Sequence, residues 1–232
     1  MFNLKMKSEL FHIPQSEQQL MQNCRVIAGY SLADITALCN VNLPTELKFA
    51  KGITGQLLEK ILGATAGNAA EPDFQNLGIE LKTIPIDIHG TPRETTYVCT
   101  VPLTNNIGYN WHQSWVRRKL KRVLWIPVEA DPQIPLAHRR IGNGILWSPS
   151  PSQSQALQQD WEELMQLVAS GQFERLTAKI GSCLQIRPKA ANSKVLTQAT
   201  DEFGAPCLTA PRGFYLRTQF TNSILQHAFV SP

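Results

Sequence analysis

The stretch Gly78-Ile79-Glu80-Leu81-Lys82-Thr83-Ile84-Pro85-Ile86 alternates with a period of two, yet it carries an acid and a base inside one of the most hydrophobic parts of the chain. In a strand, Ile79, Leu81 and Thr83 share one face, and Glu80, Lys82 and Ile84 share the other. At about 3.3 Å per residue, Glu80 and Lys82 then stand roughly 6.6 Å apart on the same face. An unpaired ion in such surroundings carries a large desolvation cost, so these charges need partners or a task. Asp73, just upstream after Glu71-Pro72, supplies a second carboxylate. Two carboxylates suit an oxygen-seeking Mg²⁺ that keeps several waters, and Lys82 can orient one of those waters or help deprotonate it. Asp73, Glu80 and Lys82 together are equipment for phosphodiester hydrolysis. A Glu80–Lys82 pair that merely holds an edge strand is the bland alternative.

The rest of the chain bounds this reading. Its 232 residues are 43% hydrophobic and 17% charged, ordinary values for a globular protein that can bury a sizeable core. No apolar run approaches the ~20 residues of a membrane span, and Met1 to Gln15 lacks the apolar core of a secretion signal, so a cytoplasmic location is expected. Cys24, Cys39, Cys99, Cys183 and Cys207 are scattered without a C-x-x-C spacing, which predicts free thiols rather than zinc or disulfides. The five histidines are likewise isolated. The net charge of +4 is modest, but Arg117, Arg118, Lys119, Lys121 and Arg122 crowd six positions, and Arg187, Lys189 and Lys194 form a second basic group. Combined with a metal-nuclease triad, these clusters favour a nucleic-acid backbone as partner.

Along the chain, Ser16 with Gln19 and Ser31 with Asp34 announce helix starts, and Gly29 ends the first helix. Thr54 to Leu62 reads as an amphipathic helix with Leu57, Leu58, Ile61 and Leu62 inward and Glu59 flanking that face. Glu94 to Val101 and Arg122 to Val128 read as strands, the second apolar on both faces and therefore central. Trp111 to Lys121 is ambiguous between helix and strand. Leu157, Trp161, Leu164 and Val168 mark a strong helix. Phe173 to Lys179 and Cys183 to Arg187 read as short strands, Ala190 to Thr200 as a helix, Gly213 to Arg217 as extended, and Thr218 to Phe229 as a last amphipathic helix. This order suggests an α/β or α+β core sheet with two lobes around a groove.

Several runs also resemble a known family: Gly55-Gln56-Leu57-Leu58-Glu59, Leu62-Gly63-Ala64-Thr65-Ala66-Gly67, Asp73-Phe74 with Leu77 to Pro85, Arg118 to Glu129, Leu184 to Asn192, and Pro211 to Leu216. Over roughly residues 16 to 230 the chain is similar to the MutH family, the strand-nicking endonucleases of bacterial methyl-directed mismatch repair. The resemblance implies an α/β, restriction-endonuclease-like fold, a mixed central sheet flanked by helices with two arms forming a DNA-binding cleft. It implies a single endonuclease domain over 1–232, with 1–15 as an N-terminal extension outside the likeness. The implied activity is Mg²⁺-dependent nicking of the unmethylated strand at hemimethylated GATC, with one or two ions and Mn²⁺ as a substitute. MutL is the implied activator and MutS an indirect partner. Residue by residue, Asp73, Glu80 and the Leu81 carbonyl match the metal ligands, and Glu59 matches a further acid. Lys82 matches the catalytic lysine and Lys119 a second one, while Lys51, Arg187, Pro188 and Tyr215 match DNA-contacting positions. Cutting one strand suits a monomer, since a symmetric dimer would cut both strands of a palindrome. The rivals are a stand-alone restriction endonuclease that cuts GATC and a non-catalytic DNA-binding protein.

Overall fold

The computed structural model describes residues 10–42, 52–67, 71–106, 108–177, 179–190, 192 and 194–230. The elements in chain order are α1 (Glu17–Ile27), α2 (Leu32–Cys39), α3 (Ile53–Leu62), β1 (Glu80–Ile86), β2 (Thr96–Thr100), α4 (Trp115–Leu120), β3 (Val123–Glu129) and β4 (Ile145–Trp147). They continue with α5 (Pro151–Ala169), β5 (Leu184–Pro188), β6 (Thr197–Thr200), β7 (Pro206–Thr209), β8 (Arg212–Leu216) and α6 (Thr218–Val230). The class is mixed α/β. The chain divides into two compact units, one of Met1–Glu94, Arg122–Ser148 and His227–Pro232, the other of Thr95–Lys121 and Pro149–Gln226.

In the first unit the caps act as the residue pattern predicts. Ser31 and Asp34 form a reciprocal capping box on α2. Ser16 Oγ accepts the Gln19 N–H on α1, but the Gln19 amide oxygen takes the N–H of Gln15, one residue earlier than a capping box would place it. The sheet runs β1-β3-β4, with β1 parallel and β4 antiparallel to the central β3. Every β3 residue from Val123 to Val128 is buried, as expected for an interior strand. Leu81, Leu124, Ile126 and Val128 on one sheet face pack with Leu20, Cys24 and Ile27 of α1, Leu32 and Ile35 of α2, and Leu57, Leu58, Ile61 and Leu62 of α3. Each such aliphatic burial contributes roughly 1.5–3 kcal/mol. The other face carries Glu80, Lys82 and Ile84 beside their β3 partners Val123, Trp125 and Pro127.

In the second unit, β2-β8-β5 form an antiparallel sheet and β6-β7 a hairpin. Leu184, Ile186, Phe214 and Leu216 fill one side of the larger sheet, and α5 packs against β5. Trp111 to Lys121 resolves as a 3-10 turn at Trp111–Gln113 followed by α4, which is capped by Ser114. Two readings are corrected. Phe173–Arg175 is a 3-10 helix rather than a strand, formed where Gly171, at φ +66°, turns the chain out of α5. None of the described residues between Ala190 and Thr200 is helical; the last four are β6, because pairing with β7 in the register Gln198↔Leu208 satisfies their backbone.

Candidate active site

The first cluster is assembled at the start of β1. Phe74 and Ile79 exchange two backbone hydrogen bonds across the turn Gln75–Gly78, and Gly78 adopts φ +66°, a left-handed value that glycine takes without strain. This small hairpin folds Asp73 back along the strand, where Asp73 Oδ2 accepts the Leu81 N–H at 2.7 Å. The Asp73 carbonyl accepts the N–H groups of Thr65 and Ala66, which fixes the residue from its other side. Successive strand residues turn their backbone groups to opposite edges. The Glu80 N–H donates to Arg122 O on the β3 side, so Leu81 turns its N–H and carbonyl to the open edge where Asp73 sits.

Glu80 is 2% exposed and its carboxylate is met by Lys82, with Nζ 2.6 Å from Oε1. The same-face arrangement predicted from the alternation is therefore present as a direct ion pair. The oxygen-only donors at this strand end, the Asp73 and Glu80 carboxylates and the Leu81 carbonyl, fit a hard divalent cation that completes its shell with water and phosphate oxygens. Among the described residues no three His, Cys, Asp or Glu side chains converge closely enough to hold an ion unaided. Glu59 is half-buried on α3, which packs against β1.

The second unit carries the remaining predicted positions. Arg187 and Pro188 are exposed at the end of β5, and Tyr215 lies on β8. Arg187 Nη1 donates to Thr95 Oγ1 at 3.0 Å, and its guanidinium carbon is 6.0 Å from the Tyr215 ring centre. Tyr215 meets Tyr97 edge-on at 5.4 Å, and Lys189 Nζ stands 3.7 Å from the Tyr97 ring centre. Thr95 and Tyr97 were not singled out from the sequence; their period-two spacing put them on one face, but only the β2–β8 pairing Tyr97↔Tyr215 shows which partner they meet. Gly213 completes the surface, since a Cβ there would come within 2.9 Å of the Tyr97 ring and 3.1 Å of the Tyr215 ring. Arginine, lysine and two aromatic rings on one sheet face form a surface that can take phosphates and bases. Lys119 is half-buried on α4, with Arg117 and Arg118 exposed beside it. Lys51 lies outside the described residues.

Comparison with known proteins gives a consistent result. The family described as "DNA mismatch repair enzyme MutH" matches residues 62–160, a span that includes Asp73, Glu80, Lys82 and Lys119. A protein named DNA mismatch repair protein MutH from Serratia proteamaculans is 55% identical over 218 residues, covering 94% of this chain and 96% of that protein. A protein of the same name from Klebsiella pneumoniae strain 342 is 54% identical, with 94% of both chains covered. Another from Shewanella baltica strain OS195 is 55% identical, covering 93% of this chain and 97% of its own.

Proposed function

The chain belongs to the MutH family of DNA mismatch repair endonucleases, and from that premise we propose that it nicks the unmethylated strand of hemimethylated GATC sites in a Mg²⁺-dependent reaction. The observation that carries the chemistry is the convergence of Asp73, the Leu81 backbone and the Glu80–Lys82 pair at one end of β1. Asp73, Glu80 and the Leu81 carbonyl would hold the ion, with Glu59 as a further acid. When bound, the ion supplies the Lewis acidity that lowers the pKa of the attacking water and offsets charge on the phosphate.

The side chains of the chain do the rest. Lys82 exchanges its contact with Glu80 for one with the attacking water and holds that water in line with the scissile bond. Lys119 offsets charge on the phosphate oxygens. Attack on phosphorus with release of the 3′ oxygen leaves a 3′-hydroxyl and a 5′-phosphate. Lys51, Arg187, Pro188 and Tyr215 contact DNA. Adenine presents its N6 amino group in the major groove, and methylation removes one donor hydrogen and adds bulk; an acceptor near Tyr215 and Pro188 would sense both changes.

The chain is proposed to act as a single endonuclease domain, with 1–15 as an extension, as a monomer in the cytoplasm. MutL would be its activator and MutS would act upstream. No helix among the described residues is long and apolar enough to cross a membrane. A supercoiled-plasmid assay tests the reading, with Mg²⁺ or Mn²⁺, on unmethylated, hemimethylated and fully methylated GATC, with and without MutL and ATP. Nicked circles from the first two substrates, increased by MutL, are expected. Linear product at low enzyme would favour a stand-alone restriction enzyme, and equal cutting of the fully methylated plasmid would defeat the methyl-sensing assignment.

A further inference from the structure

We propose that Asp160 is a positioning residue for substrate recognition. Its buried carboxylate pins the register of β5, so that Arg187 stays on the sheet face of Tyr215. The inference rests on the reading that Arg187 and Tyr215 contact DNA.

Asp160 projects from α5 and is 5% exposed. Its two oxygens accept the N–H groups of three successive residues: Ser182 at 2.9 Å, Cys183 at 2.6 Å and Leu184 at 2.8 Å. The Ser182 hydroxyl adds a longer bond at 3.3 Å. Hydrogen bonds to an ionised acceptor are shorter and stronger than neutral ones, and here they converge on the residues that open β5. The turn closes tightly around them. Gly181 sits at φ +81°, and a Cβ on it would lie 2.0 Å from Leu184 O and 3.3 Å from the Asp160 carboxyl carbon. From the end of β8, Arg217 donates its N–H to Cys183 O and its Nη2 to Ile180 O, each at 2.8 Å.

Among the described residues β5 is a terminal strand of its sheet, paired with β8 from Leu184↔Leu216 to Pro188↔Arg212. Such a strand is held from one side; its far end is closed by the Lys189 N–H, which donates to Pro211 O at 2.7 Å, and its near end by Asp160. A one-residue slip would turn Arg187 onto the opposite face, among Ile186 and Phe214, and away from Thr95 and Tyr215. The three N–H groups on Asp160 fix Leu184 against Leu216 and so set where Arg187 points three residues later. A neutral side chain could close a turn; a carboxylate that engages three consecutive donors also fixes which residue begins the strand.

The test compares Asp160→Asn, Asp160→Glu and Arg187→Ala in the full chain. Asparagine keeps one acceptor oxygen and sets an NH₂ against backbone donors. Two measurements are made below the melting temperature: amide hydrogen exchange over residues 182–188, and KM and kcat for Mg²⁺-dependent nicking of a GATC plasmid. Asp160→Asn should expose Cys183 to Arg187 to faster exchange and raise KM roughly tenfold, with kcat changed less than about twofold. Asp160→Glu should fall between it and the native protein. Unchanged protection overturns the pin. Faster exchange with an unchanged KM, while Arg187→Ala raises KM, overturns the link to recognition and leaves Asp160 a fold residue only. An unchanged KM in Arg187→Ala defeats the assignment of Arg187 itself, and the exchange data then decide the pin alone. If Asp160→Asn does not fold, Asp160→Glu carries both measurements.

Discussion

Lys82 Nζ lies 2.6 Å from Glu80 Oε1, two residues apart on one face of β1, and the Glu80 side chain is 3% exposed against 14% for Lys82. The pair has a structural consequence besides the proposed catalytic one. Removing the ammonium takes a close positive charge from a buried carboxylate, which costs about 3 kcal/mol or somewhat less given the partial exposure of Lys82. Lys82→Ala should therefore abolish nicking, spare DNA binding and lower the melting temperature. Mg²⁺ should raise the melting temperature of Lys82→Ala by more than that of the native protein, because the ion replaces the positive charge that Lys82 brings to Glu80. Calorimetry with and without Mg²⁺ checks this; an equal shift in both proteins would remove Glu80 from the ligand set.

Asp73 is expected to separate fold from chemistry. In Asp73→Asn the side-chain carbonyl can still accept the Leu81 N–H now taken by Oδ2 at 2.7 Å, so the hairpin from Phe74 to Ile79 keeps its anchor. What is lost is the negative charge that a divalent ion needs. Thermal unfolding should change by less than about 1 kcal/mol, while plasmid nicking falls at least about a hundredfold. A large loss of stability with comparable loss of activity would mean that Asp73 is a strap for β1 and nothing more.

Local chemistry made the first unit readable. The Ser31–Asp34 box, the run Leu57, Leu58, Ile61, Leu62 and the alternation from Ile79 to Ile84 each depend on neighbours within a few residues, and each is present in the structure. Asp73 could be matched to the family pattern, but that it is carried back to β1 by a turn closed at Gly78 is a property of the folded hairpin. The segment from Ala190 to Thr200 was misread for the opposite reason. The conformation of its last four residues is set by a partner strand beyond the turn at Asp201, where Asp201 Oδ1 accepts the N–H groups of Phe203 and Ala205 and reverses the chain. Tyr97 escaped notice because an aromatic residue on a short strand is ordinary until Tyr215 and Lys189 are placed beside it.

Acid should weaken one tie in the first unit. Arg122 donates to both oxygens of Glu17, with Nε 2.8 Å from Oε1, joining the residue before β3 to the first turn of α1. The hydrogen bond from Arg122 holds the Glu17 carboxyl below its ordinary range, against an opposing effect of burial. A folded-state pKa below the unfolded one stabilises the fold above the unfolded value, and that contribution is lost as pH falls through the folded value. The Glu17 side chain is 46% exposed, so solvent screening limits the effect to at most about 1 kcal/mol. Urea midpoints for native protein and Arg122→Gln should differ at neutral pH and converge below the carboxylate range; a gap that persists undiminished in acid would assign Arg122 a packing role instead.

Gly213 offers the cleanest separation of DNA binding from catalysis, because it lies in the second unit, whereas Asp73, Glu80 and Lys82 lie in the first. In Gly213→Ala the new Cβ would meet the Tyr97 ring at 2.9 Å and the Tyr215 ring at 3.1 Å, closer than ordinary van der Waals contact. Either ring can give way only by disturbing the Tyr97–Tyr215 edge contact and the neighbouring Arg187 and Lys189 cations. Overpacking of this kind costs about 1–3 kcal/mol. The backbone φ of Gly213 is not in the left-handed region, so alanine adds no backbone strain that would confuse the result. Affinity for a GATC duplex should fall roughly tenfold, with single-turnover nicking at saturating protein close to native. A variant that binds DNA normally would show that the paired tyrosines are not part of the DNA-contacting surface.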